Sequence, residues 1–359
     1  MRNRNRQIFT IARNFSYIWY SDSISIICRE QFSYNTSNVE LIECKDVLVN
    51  HQGFVYNGYF EINKKSLLSP NHHKGYFNLK HFVKKVVLKK KRATDHNQQY
   101  LLAFDEWGHA HYHWFCDTLP RIYSVKDQLK DYILLLPDHS SYVKDVGLKT
   151  LDILGLAPKG IEFIHKRNLL AIKQLTIVTQ TCVPGYINDK IVSRISQAFL
   201  KRMENKPAKP TRKLYISREG ANFRKVLNEG EVQELVKSFG YEVIKYEDMS
   251  LQEQMHITAS AKSIVSIHGA GLTNIMFMQP GGNVLEFRRD RIYHNQCYWH
   301  LADALQLNYF YLFGTPDNDS LNRYSLSYVS SPPAYHPTFR VPRYRLSERL
   351  LPSAATKAT

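Results

Sequence analysis

The chain has no apolar run near the ~18 residues that a membrane-crossing helix needs, so no spanning helix is expected. Its five cysteines (Cys28, Cys44, Cys116, Cys182 and Cys297) are scattered, and none forms a CxxC pair. Neither a zinc site nor a disulfide framework is expected, and a reducing compartment is. HExxH is missing, as is a full GxGxxG with its downstream acid, which argues against a zinc hydrolase and a nicotinamide dehydrogenase. No internal repeat or long low-complexity tract is visible. The N-terminal MRNRNRQIFTIARNFSYIW is basic but lacks a clean apolar core and a small-residue cleavage site. The expected setting is the cytosol, with the inner face of the plasma membrane as a peripheral location.

What is present has room for two domains: 359 residues, 43% hydrophobic and 13% aromatic. Lysine and arginine number 48 against 32 acids, a net charge of +16. That balance favours nucleotides, phosphorylated lipids, an acidic membrane face or nucleic acid. No nucleic-acid motif is visible and the charge is spread out, so nucleic acid is not an expected partner.

Residues 1–95 read as a small strand-rich region, with short runs at Ile24–Ile27, Val39–Ile42 and Val47–Val49. The basic run Lys84–Arg92 reads as a solvated edge or loop, with an anionic lipid or acceptor surface as the alternative. Residues 96–205 follow an α/β pattern. Strands are expected at Leu101–Phe104, Tyr132–Leu136, Ile161–Ile164 and Leu175–Thr179, and helices at Tyr142–Leu156 and Asn188–Met203. The twice-proline segment Glu204–Arg212 is the best linker. Strands then alternate with helices to residue 315, which implies a parallel, doubly wound sheet. The tail, 316–359, is a candidate to return to the first lobe.

The most informative stretch is Ser263–Met278. SIVSI suits a buried parallel strand; His268-Gly269-Ala270-Gly271 makes a turn; Leu272, Ile275 and Met276 follow at helical spacing. Glycines let a ligand approach the backbone and make positive φ inexpensive. The amides of Gly269, Ala270, Gly271 and Leu272, with the helix dipole, suit a phosphate. His268 stands at a strand's carboxyl end, where open α/β sheets bind ligands. Arg218, at the end of Lys213–Ser217, lies on the same edge and can clamp a diphosphate, with Arg224 as a second candidate. Asn228 reads as a cap for the helix from Glu229. Glu286 is a charge inside an apolar strand, where either a ribose diol or a neighbouring arginine would satisfy it.

In the first lobe the densest polar cluster runs from Asp105 to Arg121. If helical, His113 and Asp117 share a face, with Arg121 one turn on. His109, His111 and His113 alternate and raise a metal site as an alternative, but neither HExxH nor a Cys pair accompanies them. These parts fit a GT-B-like enzyme of two Rossmann-like α/β lobes. Arg218 and the turn amides would neutralise a departing nucleoside diphosphate without a metal. Asp117 or His113 would deprotonate the acceptor hydroxyl.

The set His113-Trp114-x-x-Asp117-x-Leu119-Pro120-Arg121, Ile216-Ser217-Arg218 with Arg224 and Asn228-Glu229, and His268-Gly269-Ala270-Gly271-Leu272-Thr273-Asn274 with Pro280-Gly281 and Glu286 resembles glycosyltransferase family 61. Bacterial members of that family are often labelled capsular polysaccharide biosynthesis proteins. The resemblance implies a GT-B fold, inversion, no required cofactor and a nucleotide-sugar donor, with a UDP-sugar the first choice. The acceptor would be a glycan or lipid-linked glycan. It adds Asn274 to the donor side, and gives Trp114 and Arg121 either acceptor or structural roles. The rival reading is a non-catalytic nucleotide- or glycan-binding module that keeps the fold.

Overall fold

The computed structural model describes residues 34, 36–68, 78–138, 141–183, 185–220, 225–289, 296–316 and 339–340. It is a mixed α/β protein with two sheets. Its described residues divide into two compact units, one spanning residues 36–202 and the other comprising Tyr34 and the residues from Met203 on. The expected strand Ile24–Ile27, Arg224 and most of the tail lie outside the described residues.

The first unit holds seven strands: β1 Leu41–Asn50, β2 Val55–Tyr56, β3 Lys90–Ala93, β4 Tyr100–Leu102, β5 Ile133–Pro137, β6 Gly160–Ile164 and β7 Asn168–Val178. Their order is β2-β1-β7-β4-β5-β6, with β3 pairing β7. The β4, β5 and β6 neighbours are parallel, and β4 runs parallel to β7. β1 lies antiparallel along β7 from Leu41 opposite Val178 to Asn50 opposite Leu169. The two expected runs around residues 39–49 are thus one strand. β7 also starts well before the expected Leu175, because exposed Lys173 and Gln174 interrupt its apolar pattern without ending the ladder. The core of this unit gathers Val49, Leu102, Phe104, Leu135, Leu170 and Ile177.

Part of the basic run expected as edge or loop is helical. Residues 79–87 form one α-turn, Leu79–Phe82, continued by a π-turn, Val83–Val87. The Asn78 side chain caps it by accepting from the His81 amide at 3.0 Å. Phe82 and Val86 bury against Phe54 and Leu169. Apolar residues lie on both faces of this short helix, so no single period stands out in its sequence.

The second unit contains β8 Arg212–Ile216, β9 Glu242–Ile244, β10 Ala261–Ile267, β11 Asn283–Arg289, β12 Asn308–Pro316 and β13 Phe339–Arg340. The order is β13-β12-β11-β10-β8-β9. β9, β8, β10, β11 and β12 are mutually parallel. β13, inside the expected tail, pairs antiparallel with β12. Helices Glu229–Ser238, Leu251–Ala259 and Cys297–Ala304 connect these strands. Ser250 and Glu253 form a reciprocal capping box at the second. Asn228 precedes the first but its side chain makes no cap bond, and its amide donates to Glu231 at 3.3 Å instead. By order of appearance the parallel strands run 2-1-3-4-5, so the direction of winding reverses between β8 and β10. Crevices for ligands form outside the carboxyl ends of strands at such a point.

Among the described residues no helix is long and apolar enough to cross a membrane. Cys44, Cys116, Cys182 and Cys297 are buried free thiols.

Candidate active-site residues

In the second unit Arg218 follows β8 and His268 follows β10, so the two flank the reversal point. Register fixes this: Ile216 lies opposite Ser266, two residues before each. The chains at these ends touch. A Cβ built on Gly269 would stand 3.1 Å from Arg218 Nη1 and 3.3 Å from its Cζ. The missing side chain is the space into which the guanidinium folds. Gly269 has φ 172°, an extended conformation open to any residue. Gly271 is absent from the positive-φ glycines, and a Cβ there would meet Tyr246 at an ordinary 3.5 Å. The expected conformational reason for these glycines is therefore replaced, at Gly269, by a steric one.

The helix expected over Leu272–Met278 is a 3-10 helix, Ala270–Phe277. Its tighter turns follow from i→i+3 bonding. One such bond takes the Leu272 amide to the Gly269 carbonyl at 2.9 Å. Ala270 and Gly271 are the half-buried residues of this turn, while Leu272 and Asn274 are buried. Asn274 turns inward and donates to Gln254 at 2.8 Å.

His268 is held from behind. Its Nδ1 bonds Glu286 Oε1, because Glu286 lies on β11 opposite Ser266. The Tyr309 hydroxyl donates to Glu286 Oε2, and Arg288 Nη1 lies 3.8 Å from the same oxygen. Glu286 is fully buried. Burial alone would raise its pKa, but Arg288 and His268 outweigh burial and hold it at about 2. An ionised carboxylate fixes the proton on Nδ1 and leaves Nε2 as the other ring nitrogen. The Tyr298 ring meets the His268 ring edge-on, 5.0 Å between centroids. Arg288 is braced in turn by Gln296 at 2.6 Å.

Glu229, which opens the helix after β8, is buried and accepts from Ser217 Oγ at 2.7 Å and from the Arg218 amide at 3.3 Å. It anchors the strand end that carries Arg218. In the sequence Glu229 marks a helix start and one member of the motif set, and nothing distinguishes Tyr309. Both act across the fold, so no local spacing signals them.

In the first unit residues 111–124 form one helical stretch: His111–His113, a π-turn Trp114–Thr118, then Leu119–Ser124. Pro120 sits in the first turn of the last piece, directly after the π-turn. His113 Nδ1 and Asp117 Oδ2 are 2.6 Å apart. The His113 side chain is 23% exposed and that of Asp117 8%, so the imidazole is the member that reaches solvent. Burial opposes a charge on His113, but Asp117 outweighs it and its pKa is raised. Burial pushes Asp117 up as well, with His113 opposing. Trp107 packs tilted on the His113 ring at 4.8 Å.

Trp114 and Arg121 are core residues. Trp114 donates to Thr150 at 2.9 Å, and Gly147 leaves room for its ring, since a Cβ there would come within 2.9 Å. Arg121 donates twice to the Val178 carbonyl, at 2.8 and 2.5 Å. It also lies 3.6 Å from Asp105. It ties the helical stretch to the carboxyl ends of β4 and β7. Asp105, which accepts from Gln180 at 2.8 Å, is the partner that the sequence cluster contained without revealing its role. Among the described residues no three His, Cys, Asp or Glu side chains converge as metal ligands.

The family model described as Glycosyltransferase 61 matches residues 111–285. That segment runs from the His113 helix through β10 and the glycine turn into β11. The chain is similar to the EGF domain-specific O-linked N-acetylglucosamine transferase of Rattus norvegicus, 23% identical over 329 residues, covering 79% of this chain and 60% of that protein. It is similar to the Mus musculus protein of the same name, 23% over 335 residues, covering 80% and 62%. A shorter match to the Drosophila melanogaster protein is 28% identical over 133 residues, 35% of this chain and 25% of that one. The chain thus spans about 60% of the length of the first two relatives. Over residues 111–285 the chain is thus similar to glycosyltransferase family 61.

Proposed function

We propose that the chain is an inverting glycosyltransferase of GT-B type that moves a sugar from a nucleoside diphosphate to a glycan or glycolipid hydroxyl. The observation that carries this is the Arg218–Gly269 contact beside His268 at the reversal point of the second sheet. An arginine, a histidine and a glycine turn converge where a parallel sheet takes ligands, and a diphosphate is a ligand they suit. The acceptor oxygen bonds to the anomeric carbon as the bond to the diphosphate oxygen breaks. The electron pair leaves on the diphosphate, where Arg218 and His268 meet the charge. His113 Nε2 takes the hydroxyl proton, and Asp117 orients the ring from Nδ1. Glu286 keeps His268 oriented. No cofactor or metal is assigned.

The donor is read as a UDP-sugar. UDP-N-acetylglucosamine is the first to test, since the relatives are named as N-acetylglucosamine transferases. The acceptor is read as a growing capsular or exopolysaccharide chain, handled in the cytoplasm.

Titration calorimetry with UDP, and release of UDP from its sugar conjugates, test the two halves. Arg218→Ala and His268→Ala should each weaken UDP binding. Unchanged binding in both removes the donor-site assignment. UDP binding with neither hydrolysis nor transfer from any donor would favour the non-catalytic module.

A further inference from the structure

The helical segment 79–87 buries Phe82 and Val86 and turns three other apolar residues outward. Leu79, Val83 and Val87 follow one another at intervals of four, all exposed, and Leu88 beside them is 74% exposed. Phe60 is a further exposed apolar residue that touches the helix. It is 59% exposed and packs edge-on against Phe82 at 6.0 Å. Single exposed apolar residues are ordinary, but a contiguous row of them marks a surface that meets something.

The charge around the row says what. Between residues 78 and 94 there are seven lysines and arginines and no aspartate or glutamate. Lys80, Lys84 and Lys90 are exposed beside the apolar row. Lys85 feels the crowding: burial, and then Lys89 and Lys84, lower its pKa. Arg92 alone of this group has an acidic partner among the described residues, Glu162. β3, which follows the helix, is exposed at every residue.

We propose that this face is a docking surface for an anionic phospholipid membrane. The helix would lie in the interface plane, with Leu79, Val83, Val87 and Leu88 among the acyl chains and the lysines at the headgroups. Apolar insertion and headgroup attraction act together in that geometry. A second copy of the chain fits worse, because the same lysines would face each other. Such a contact would hold this unit at the membrane without a spanning helix.

The test is sedimentation of the full chain with vesicles of phosphatidylcholine alone and of phosphatidylcholine mixed with phosphatidylglycerol. Binding is expected to the mixed vesicles, weakening as salt rises. Leu79→Ser with Leu88→Ser, and separately Lys84→Glu with Lys90→Glu, should each lower the bound fraction roughly tenfold or more. Both substitution pairs are at exposed sites, and circular dichroism should show each variant folded. Equal binding to neutral vesicles would overturn the proposal, as would unaltered binding in either folded variant. A concentration-dependent dimer abolished by the leucine pair, with no vesicle binding, would overturn it in favour of self-association.

Discussion

Each unit contains a histidine whose Nδ1 rests on a carboxylate, and the two pairs are built differently. His113 and Asp117 are one helical turn apart, and Asp117 has no arginine hydrogen-bonded to it among the described bonds; Arg121 spends its donors on Val178. Burial therefore pushes the Asp117 pKa up. His268 and Glu286 come from neighbouring strands, and Arg288 and Tyr309 hold the second carboxylate oxygen. Glu286 is kept ionised, near 2. The first pair holds its proton on a fine balance, which suits moving one. The second is locked as an ion, which suits presenting a fixed donor or charge to an anion. At Asp117 burial outweighs His113 and Arg121, whereas at Glu286 Arg288 and His268 outweigh burial.

The widest separation between the pairs should appear in turnover. His113→Ala should reduce sugar transfer by about 10²–10⁴-fold, the usual range for a lost general base, and leave UDP affinity near the wild-type value. Measuring both in the same preparation checks it; an equal loss of affinity would merge the two roles. Next comes acid stability. Glu286 has its pKa depressed from an ordinary value near 4.5 to about 2, so the stability it contributes is present above that ordinary value. It is lost as the pH falls through about 2. The contribution is on the order of 3 kcal/mol. Urea melts of Glu286→Gln against wild type should show a lower but flatter stability over that acid window. A variant as steep as wild type would mean the carboxylate is not locked.

The sequence made the first pair readable and hid the architecture of the second. Positions 113 and 117 meet on any helix, so their contact needs only local geometry. Its use of a π-turn was not readable, because no residue between Trp114 and Thr118 marks one. His268 and Glu286 were both visible as unusual, yet their contact depends on β10 and β11 being parallel neighbours with Ser266 opposite Glu286. Tyr309 enters from a third strand. The alternation of strands and helices after residue 212 was legible from apolar runs and punctuation. The helix at 79–87 was not, because its apolar residues occupy two faces.

Arg218→Ala comes third in size, about a 10–100-fold loss of UDP affinity, as for a charge-assisted hydrogen bond removed; calorimetry reads it directly. Asp117→Asn follows. The raised His113 pKa places the acid limb of the rate profile above the ordinary imidazole value of about 6.5, since transfer needs the neutral ring. Removing the carboxylate's charge should move that limb down. The same substitution should leave the pH dependence of UDP binding in place. A limb that stays put would transfer the base role away from the pair.

The smallest expected effect separates two glycines that stand two positions apart in the same turn. A methyl group on Gly269 would stand 3.1 Å from Arg218 Nη1, whereas one on Gly271 meets nothing nearer than 3.5 Å. Neither backbone is strained by alanine, since Gly269 is extended and Gly271 sits within the 3-10 helix. The guanidinium is the far end of a flexible chain, so Gly269→Ala should fold normally and shift Arg218 by a few tenths of an ångström. A bidentate clamp is sensitive to such a shift, so UDP affinity should fall a few-fold. Gly271→Ala should bind as wild type does. Equal affinities in the two variants would mean that the anion is read by the turn's amides and not by the arginine folded over Gly269.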